Sequence, residues 1–428
     1  MKSNIVFYWF RRDLRLEDNT ALFHSLKSGF DVKPVFIFDE EIIDKLPEND
    51  ARTSFIYKTL HKIDADLKKI GSSLLVKKGK PQVIWNDLLK EHSCKGLYLN
   101  RDYEPYALKR DKEVTFIFEK AGIPVNTYKD QVIFEKSEIL KKDGTPYVVY
   151  TPFKNQWFKL FDEKKHLIEK DSSKLFHSFL NYTASFPSME DLGFKVSTIT
   201  VVPYKLDKLF NYDEVRDFPA LDQTSYISPY LRFGQVSIRT MVKYALKTNK
   251  TFLSELIWRE FFMQILFHFP NVVTNNFRKK YDAVSWRNNE TEFEKWCKGE
   301  TGYPIVDAGM RQLNATGYMH NRVRMITAGF LCKHLLIDWR WGEAYFAEKL
   351  LDYELSSNNG NWQWAAGTGC DAAPYFRIFN PIEQLKKFDK NLEYTKKWVR
   401  DLNELTYPQP IVDHKMARLR ALEAYKKA

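Results

Sequence analysis

N-I-V-F-Y-W, residues 4–9, is a short apolar run rich in residues that favour β-strands. Four further runs of this kind occur in the first 130 residues, separated by segments with helical spacing. The clearest helix is Arg52–Ile70, where apolar residues recur at steps of three and four. The predicted strands are Asn4–Trp9, Val32–Phe38, Ser73–Val76, Gly96–Leu99 and Ile123–Tyr128. Strands alternating with helices predict a parallel sheet, so we expect residues 1–130 to form a Rossmann-like α/β domain.

The periodicity weakens after residue 130 and changes character after residue 200. We interpret residues 131–200 as a long connector with short helices, in which Tyr147–Trp157 contains an aromatic-rich turn. Residues 201–428 contain no convincing strand and are predicted to form an all-α domain. Its predicted helices are Ser237–Thr248, Phe252–His268, Thr291–Lys298, Ile305–Ala315, His320–Leu336, Gly342–Leu351 and Lys415–Tyr425.

Composition narrows the class of protein. The chain has 428 residues, a net charge of +11 and 15% aromatic residues, a combination that favours a polyanionic partner and stacking on planar groups. No apolar run reaches the ~18 residues that a membrane span needs, and the N-terminus does not resemble a signal peptide, so we expect a cytoplasmic protein. The four cysteines form no C-x-x-C pair, and motifs for a metalloprotease, P-loop NTPase, serine hydrolase or Rossmann dehydrogenase are absent. We predict no metal site.

Two small groups of residues suggest a pocket in the helical half. Glu255 and Trp258 are three residues apart and share one face of a predicted helix. Asn321 and Met325, four residues apart, share a face of another, with Arg322 nearby. An acid beside an indole suits a site that hydrogen-bonds a heterocycle while stacking on it, although each residue alone is more often a packing or surface feature.

Long ordered motifs carry a family resemblance over nearly the whole chain. They are F-R-R-D-L-R-L-E-D-N (10–19), S-E-L-I-W-R-E-F-F (254–262), W-C-K-G-E-T-G-Y-P (296–304), L-D-Y-E-L-S-S-N-N-G-N-W-Q-W (351–364) and A-A-P-Y-F-R-I-F-N-P (372–381). Together they resemble the photolyase/cryptochrome family, and most closely the class I cyclobutane pyrimidine dimer photolyases.

The resemblance implies an N-terminal antenna-type domain and a helical domain that binds FAD. It implies that the reduced flavin, excited by blue light, donates an electron to a pyrimidine dimer, whose ring splits before the electron returns. The partner is UV-damaged DNA, from which the dimer is flipped into a pocket, as the family does. We expect a monomer.

The resemblance also assigns roles to residues. The dimer pocket comprises Glu255, Trp258, Asn321, Met325 and Trp364, and the electron-transfer chain comprises Trp286, Trp339 and Trp362. The FAD-binding positions are Tyr212, Thr224, Ser225, Tyr226, Ile227, Ser228, Arg259, Asp352, Tyr353, Glu354 and Asn358. Asn358 matches the residue that faces flavin N5, and the family usually has Asp where Glu354 stands. The DNA-contact positions are Arg216, Arg322, Arg324 and Arg377.

Three alternatives remain open at this point. The second chromophore is uncertain, because Tyr106 and Ala107 stand where folate-type photolyases carry an Asn-Glu pair; folate, deazaflavin, flavin or no antenna fit the sequence. A cryptochrome-type signalling photoreceptor is one alternative function, disfavoured by Glu255, Met325 and Asn358. Repair of the (6–4) photoproduct is the other, disfavoured because only His320 stands beside Asn321 where that chemistry uses paired histidines.

Overall fold

The computed structural model describes residues 4–428. Five parallel strands form one sheet in the order β3-β2-β1-β4-β5, followed along the chain by a helix-rich part. The strands are β1 (Asn4–Phe10), β2 (Asp31–Asp39), β3 (Leu75–Gly79), β4 (Ser93–Asn100) and β5 (Val125–Tyr128). The predicted fold class is confirmed, and the strand ends differ from the predicted ones by at most three residues.

The central strand β1 is apolar throughout because both faces of the sheet are covered. Val6, Tyr8 and Phe10 pack in the apolar cluster on one face. Side chains alternate along a strand, so the intervening residues Ile5, Phe7 and Trp9 pack in the cluster on the other face.

The described residues contain nineteen α-helices, numbered here in chain order. They are α1 (Thr20–Leu26), α2 (Glu40–Ile43), α3 (Ala51–Lys68), α4 (Pro81–Glu91), α5 (Pro105–Lys120), α6 (Tyr150–Leu160), α7 (Glu163–His166), α8 (Tyr212–Val215), α9 (Ser228–Arg232), α10 (Ile238–Thr248), α11 (Lys250–His268), α12 (Glu290–Lys298), α13 (Pro304–Thr316), α14 (Asn321–Gly329), α15 (Trp339–Lys349), α16 (Leu355–Ala366), α17 (Pro381–Phe388), α18 (Glu393–Trp398) and α19 (His414–Lys427). No helix among residues 4–428 is long and apolar enough to span a membrane.

The chain divides into two compact units that are not continuous in sequence. The α/β unit contains the chain up to Glu138 together with Leu160–Val202 and Ser228–Lys247. The helical unit contains Ile139–Lys159, Pro203–Ile227 and Thr248–Ala428. The domain limits proposed from the sequence, near residues 130 and 200, stay a prediction.

Three local features differ from the sequence predictions. The stretch expected to form an aromatic-rich turn is helix α6, in which Tyr150, Phe153 and Trp157 are buried at helical spacing. The helix expected over His320–Leu336 ends at Gly329 and continues as a π-helix over Phe330–Leu335. Helix α16 was not predicted at all, because its small and polar residues lack an apolar stripe.

Candidate functional site

The predicted dimer-contact residues lie mainly on two helices of the helical unit, α11 and α14. On α11, Trp258 follows Glu255 by three residues and Arg259 follows it by four, so the three side chains share one face. Asn249 caps this helix, and its side-chain oxygen accepts a hydrogen bond from the backbone N–H of Thr251 at 3.0 Å. The cap determines where α11 begins.

Trp258 is held by a stacked aromatic ring that the sequence analysis did not identify. The ring of Tyr150 on α6 lies parallel to the indole, with centroids 3.6 Å apart and planes 9° apart. The Tyr150 hydroxyl donates to the carbonyl of Ser254 at 2.7 Å, and burial raises the pKa of Tyr150. The spacing of Tyr150 with Phe153 and Trp157, at steps of three and four, was the signal that would have predicted this helix.

Glu255 forms an ion pair with a residue predicted to contact DNA. Arg216 Nη1 donates to Glu255 Oε1 at 2.6 Å, and the two side chains are 25% and 28% exposed. The second oxygen, Oε2, accepts no hydrogen bond within residues 4–428. The Arg216 guanidinium also lies 5.1 Å from the ring centroid of Tyr212, whose pKa is raised by burial and by the Glu255 charge. Glu255 is therefore held on one side and has an acceptor available on the other.

Helix α14 begins beside this pair at His320. The ring nitrogen Nδ1 of His320 accepts from the backbone N–H of Arg322 at 3.2 Å, and Asn321, the first helical residue, is exposed. Burial lowers the pKa of His320 to about 4; the Asp217 carboxylate opposes the shift, and the guanidinium groups of Arg324 and Arg322 add to it. His320 is therefore neutral near pH 7.

The two arginines of α14 are also paired with carboxylates. Arg322 Nη2 donates to Asp217 Oδ1 at 2.6 Å, and Nη1 lies 3.8 Å from the Met325 sulfur. Arg324 Nη2 donates to Asp352 Oδ2 at 2.9 Å, and Asp352 was predicted to contact FAD. Three of the four arginines predicted to contact DNA thus form ion pairs within the protein.

The remaining predicted DNA-contact residue, Arg377, and the remaining predicted pocket residue, Trp364, lie on later segments. Arg377 is exposed, with its guanidinium 5.9 Å from the ring centroid of Phe379. Trp364 is half-buried on α16. Among the described residues, neither forms an ion pair or ring contact with the other predicted pocket residues, so their place in a common site stays a prediction.

The predicted flavin-contact residues on α11 and α16 meet at a charged contact. Arg259 Nη2 lies 3.5 Å from Glu354 Oε1, and the Ser357 hydroxyl donates to Glu354 Oε2 at 2.9 Å. Glu354 directly precedes α16, while Tyr353 packs partly buried against the main apolar cluster of this unit.

Asn358 has a fixed amide orientation because of Glu343 on α15, a second residue that the sequence analysis missed. Asn358 Nδ2 donates to the Glu343 carbonyl at 3.1 Å and to Glu343 Oε1 at 2.9 Å. Burial raises the pKa of Glu343, and the hydrogen bond from Asn358 opposes the shift. Both N–H donors are thereby used, whereas Asn358 Oδ1 accepts no hydrogen bond within the described residues.

This donor set fits FAD. A flavin offers an N–H to an acceptor such as Asn358 Oδ1, and its ribose and ring edges can bond to the carboxylates Asp352 and Glu354 and to the Arg259 guanidinium. The Asn358 Oδ1 acceptor, which has no partner in the described part of the chain, is the observation that carries the fit. No group of three or more metal-ligating side chains occurs among the described residues.

The segment predicted to hold the FAD phosphates has an irregular backbone. Tyr226 has a φ of +56°, and its hydroxyl donates to Asp222 Oδ1 at 2.5 Å. Ser225 and Ile227 are buried, whereas Thr224 is half-buried. The remaining predicted position, Ser228, begins α9 and is assigned to the α/β unit. The phosphate-binding role of this segment stays a prediction.

The three tryptophans of the predicted electron-transfer chain lie in or against one apolar cluster. Trp339 and Trp362 are buried members of it, and Trp286 packs against it half-buried. A Cβ at Gly342 would stand 2.1 Å from Trp362, so only glycine lets this indole pack directly on α15. Trp286 meets the ring of Tyr425 edge-on, with centroids 5.8 Å apart. The packing is compatible with a chain, but direct contact between the three indoles stays a prediction.

The antenna-related positions lie at the carboxyl edge of the sheet in the α/β unit. The Tyr106 hydroxyl donates to Asp39 Oδ2 at 2.6 Å, and Ala107 is buried. Burial raises the pKa of Asp39, an effect that Tyr106 and Arg110 oppose. Tyr106 is therefore engaged with the end of β2, and the identity of a second chromophore stays open.

Family models match both parts of the chain. Residues 6–171 match the DNA photolyase model, and residues 252–406 match the model for the FAD-binding domain of DNA photolyase. Among curated proteins, the deoxyribodipyrimidine photo-lyase of Agrobacterium fabrum is 37% identical, with coverage of 99% of this chain and 98% of the relative. The enzyme of the same name from Escherichia coli is 36% identical, with 98% of each covered.

Solved structures of photolyases and of a cryptochrome are similar to the chain over nearly its whole length. A bacterial class III photolyase from Agrobacterium tumefaciens superposes with a TM-score of 0.89 at 36% identity, covering 100% of this chain and 98% of the other. An archaeal photolyase from Sulfolobus tokodaii with two FAD molecules superposes with a TM-score of 0.87 at 34% identity, covering 99% and 100%. A cryptochrome from Synechocystis sp. PCC6803 reaches 0.83 at 26% identity, covering 99% of each.

Proposed function

The chain belongs to the DNA photolyase family and carries that family's FAD-binding domain, and from this premise we propose that it repairs cyclobutane pyrimidine dimers in UV-damaged DNA. FAD, when bound and reduced, supplies an electron on excitation by blue light. The protein holds the cofactor, receives the flipped dimer and excludes water from the pocket.

The observation that most supports this proposal is the arrangement around Glu255. One carboxylate oxygen is held by Arg216 at 2.6 Å, and the other accepts no hydrogen bond within residues 4–428. Trp258, one helical turn away, is kept flat by the Tyr150 ring at 3.6 Å. A pyrimidine offers an N–H donor on its edge and an apolar face, which match a free carboxylate oxygen and an indole wall.

On the cofactor side, Asn358 is proposed to accept a hydrogen bond from the flavin. Glu343 takes both N–H donors of the amide, so that Oδ1 is directed away from Glu343. A neutral amide at this place tolerates negative charge on a reduced flavin, whereas a carboxylate would disfavour it.

The protonation state of His320 supports dimer repair over repair of the (6–4) photoproduct. Burial lowers its pKa to about 4, and its Nδ1 accepts the Arg322 backbone N–H. A neutral capping histidine is a poor proton donor at neutral pH.

The test is repair of a synthetic duplex that contains one thymine dimer. Holoenzyme with reduced FAD is illuminated with blue light, and the recovery of thymine absorbance is followed at saturating enzyme. We expect repair by the parent protein and a markedly lower quantum yield for Glu255→Ala, with unchanged FAD content. The matched control is Glu214→Ala, which removes an exposed acid that forms no ion pair within residues 4–428.

Two results would overturn the proposal. One is absence of dimer repair by the reduced parent holoenzyme, which would favour a signalling photoreceptor. The other is repair of a (6–4) photoproduct in place of the dimer under the same illumination.

A further inference from the structure

Two neighbouring residues, Arg216 and Asp217, connect the two helices that carry the predicted dimer pocket. They directly follow α8, and the Arg216 backbone N–H donates to the Tyr212 carbonyl at 2.9 Å. Their side chains reach different partners. Arg216 binds Glu255 on α11 at 2.6 Å, and Asp217 binds Arg322 on α14 at 2.6 Å.

The contact on α14 extends to the pocket itself. Arg322 Nη1 lies 3.8 Å from the sulfur of Met325, one turn further along the helix. The same guanidinium lies 4.5 Å from the ring centroid of Phe388 on α17. Asp217, Met325 and Phe388 thus surround Arg322, which fixes its position.

We infer that Arg216–Asp217 is a positioning clamp for the dimer pocket. Arg216 orients the Glu255 carboxylate so that Oε2 faces substrate, and Asp217 fixes Arg322, which in turn supports Met325. This inference rests on the proposed dimer repair. It makes Arg216, Asp217 and Arg322 positioning residues.

The exposure of the two pairs argues that they serve geometry more than stability. The Arg216–Glu255 side chains are 25% and 28% exposed, and those of Arg322–Asp217 are 20% and 37% exposed. Ion pairs this accessible to water contribute about 0–1 kcal/mol to stability. Positioning is more sensitive, because misplacing a reacting group by about 1 Å can cost roughly 100-fold in rate.

The clamp also balances the charge at the pocket. Arg216 and Arg322 contribute two positive charges, which Asp217 and Glu255 cancel, although the whole chain has a net charge of +11. A locally neutral rim favours entry of an uncharged base over a phosphate group.

The experiment compares Asp217→Asn with Asp217→Glu and with Glu214→Gln. Glu214 lies on α8 just before the clamp, is exposed and forms no ion pair within residues 4–428, so its change removes the same charge without a contact. Each holoenzyme is assayed for FAD content, melting temperature, affinity for dimer-containing duplex and quantum yield at saturation. We expect Asp217→Asn to lower the quantum yield at saturation roughly tenfold. This loss is smaller than the roughly 100-fold loss that a displacement of about 1 Å can cause. Its FAD content and melting temperature should match the parent.

Rescue and salt dependence complete the test. Asp217→Glu restores a carboxylate and should recover much of the yield, and Glu214→Gln should match the parent. The inference is overturned if Asp217→Asn keeps the parental yield but binds undamaged duplex more tightly, with a salt slope steeper by about 0.9. That result would mean that Asp217 merely competes with one phosphate for Arg322.

If Asp217→Asn does not fold, Arg322→Lys provides the same measurement, because it keeps the charge but loses the fork that contacts both Asp217 and Met325. A parental yield for that variant would overturn the clamp. Failure of the proposed function is distinguishable, since the unmodified holoenzyme would then show no dimer repair in any arm.

Discussion

Charged side chains are paired in both units, but the pairs differ in burial and in completeness. In the α/β unit, Asp18 and Asp130 are nearly inaccessible and are surrounded by Arg15 and Arg239. Arg239 Nε donates to Asp18 Oδ2 at 2.9 Å and Nη2 to Asp130 Oδ1 at 2.8 Å, and Arg15 donates to Asp130 Oδ2 at 2.6 Å. Burial alone would raise the pKa of Asp130, but Arg15 and Arg239 lower it to about 2.

In the helical unit, the pairs around the candidate pocket are incomplete. Arg216 and Glu255 are about one-quarter exposed, and one Glu255 oxygen has no partner within the described residues. The difference indicates that a closed, buried network maintains the fold, whereas a half-satisfied, accessible pair keeps hydrogen-bonding capacity for a ligand. Two tryptophans differ in burial alone: Trp85 is buried in the sheet core, whereas Trp286 is half-buried.

The largest effect is expected from the tryptophans. Trp286→Phe should abolish photoreduction of the oxidised holoenzyme but leave repair by chemically reduced enzyme intact, since phenylalanine is far harder to oxidise than indole. Trp85→Phe is the matched change in the α/β unit and should photoreduce normally. Flavin absorbance under blue light with an external reductant measures both variants. If Trp286→Phe photoreduces at the parental rate, Trp286 is not the terminal electron donor. The expected difference between Trp286 and Trp85 would then be wrong.

The next largest effect is expected when a buried ion pair and an accessible ion pair are each broken by one substitution. Arg239→Met leaves Asp18 and Asp130 buried without this partner and should lower the unfolding free energy by about 3–5 kcal/mol. Arg216→Met removes the accessible partner of Glu255 and should cost at most about 1 kcal/mol. Urea unfolding of both holoenzymes checks the difference. Equal losses would show that the buried and accessible pairs are equivalent.

A third effect concerns Lys333, buried in the π-helix of the helical unit without a carboxylate partner among the described residues. Its Nζ lies 2.6 Å from the Ala366 carbonyl and 3.6 Å from the ring centroid of Tyr425, and burial lowers its pKa to about 7. In the unfolded chain, the pKa of Lys333 is about 10.4. Unfolding therefore takes up one proton between about pH 7 and about pH 10.4.

Stability should therefore rise with pH in this window. Relative to Lys333→Met, the unfolding free energy of the parent should increase by about 1.4 kcal/mol per pH unit between about pH 8 and 9.5. Below pH 7 both states are protonated, and the difference between the proteins should become constant. Denaturant titrations at several pH values measure it; a constant difference from pH 6 to 9.5 would contradict the prediction.

An effect smaller than that of Arg239→Met is expected at the edge of the sheet. Tyr106→Phe removes the hydroxyl that donates to Asp39 at 2.6 Å, and Arg110, 3.8 Å from that carboxylate, remains. A single hydrogen bond to a charged group contributes about 1.5 kcal/mol, so the unfolding free energy should fall by that amount. Tyr147→Phe, at another half-buried tyrosine, serves as control. A loss of unfolding free energy as large as that of Arg239→Met would show that the Tyr106–Asp39 hydrogen bond stabilises the fold as much as the buried ion pairs do.

The sheet and most long helices were predictable because their signals are local. The inner strands β1 and β2 are runs of mostly apolar residues buried on both faces, and α11 has long apolar stretches. Helix α16 was not predictable from periodicity, because Ser, Asn and Gly replace the apolar stripe and packing stabilises it. A Cβ at Gly360 would stand 2.1 Å from the Phe262 ring, so α16 and α11 are in close contact at this glycine.

The candidate site, like the fold, was predictable from the sequence only in part. The types of residue, and the pairing of Glu255 with Trp258 on one face, followed from helical spacing within one segment. The partners that hold these residues in place did not follow from helical spacing. Tyr150, Asp217 and Glu343 were missed because their roles depend on which elements meet in space.

The sequence by itself determined the order of strands and helices, the basic charge and the residue types of the pocket, since these depend on periodicity, composition and motifs. Only the tertiary structure decided that Arg216 holds Glu255, 39 residues away, and that Asp217 holds Arg322, 105 residues away. The physical reason is that an ion pair requires two side chains within hydrogen-bond distance, and chain folding alone brings such distant residues together.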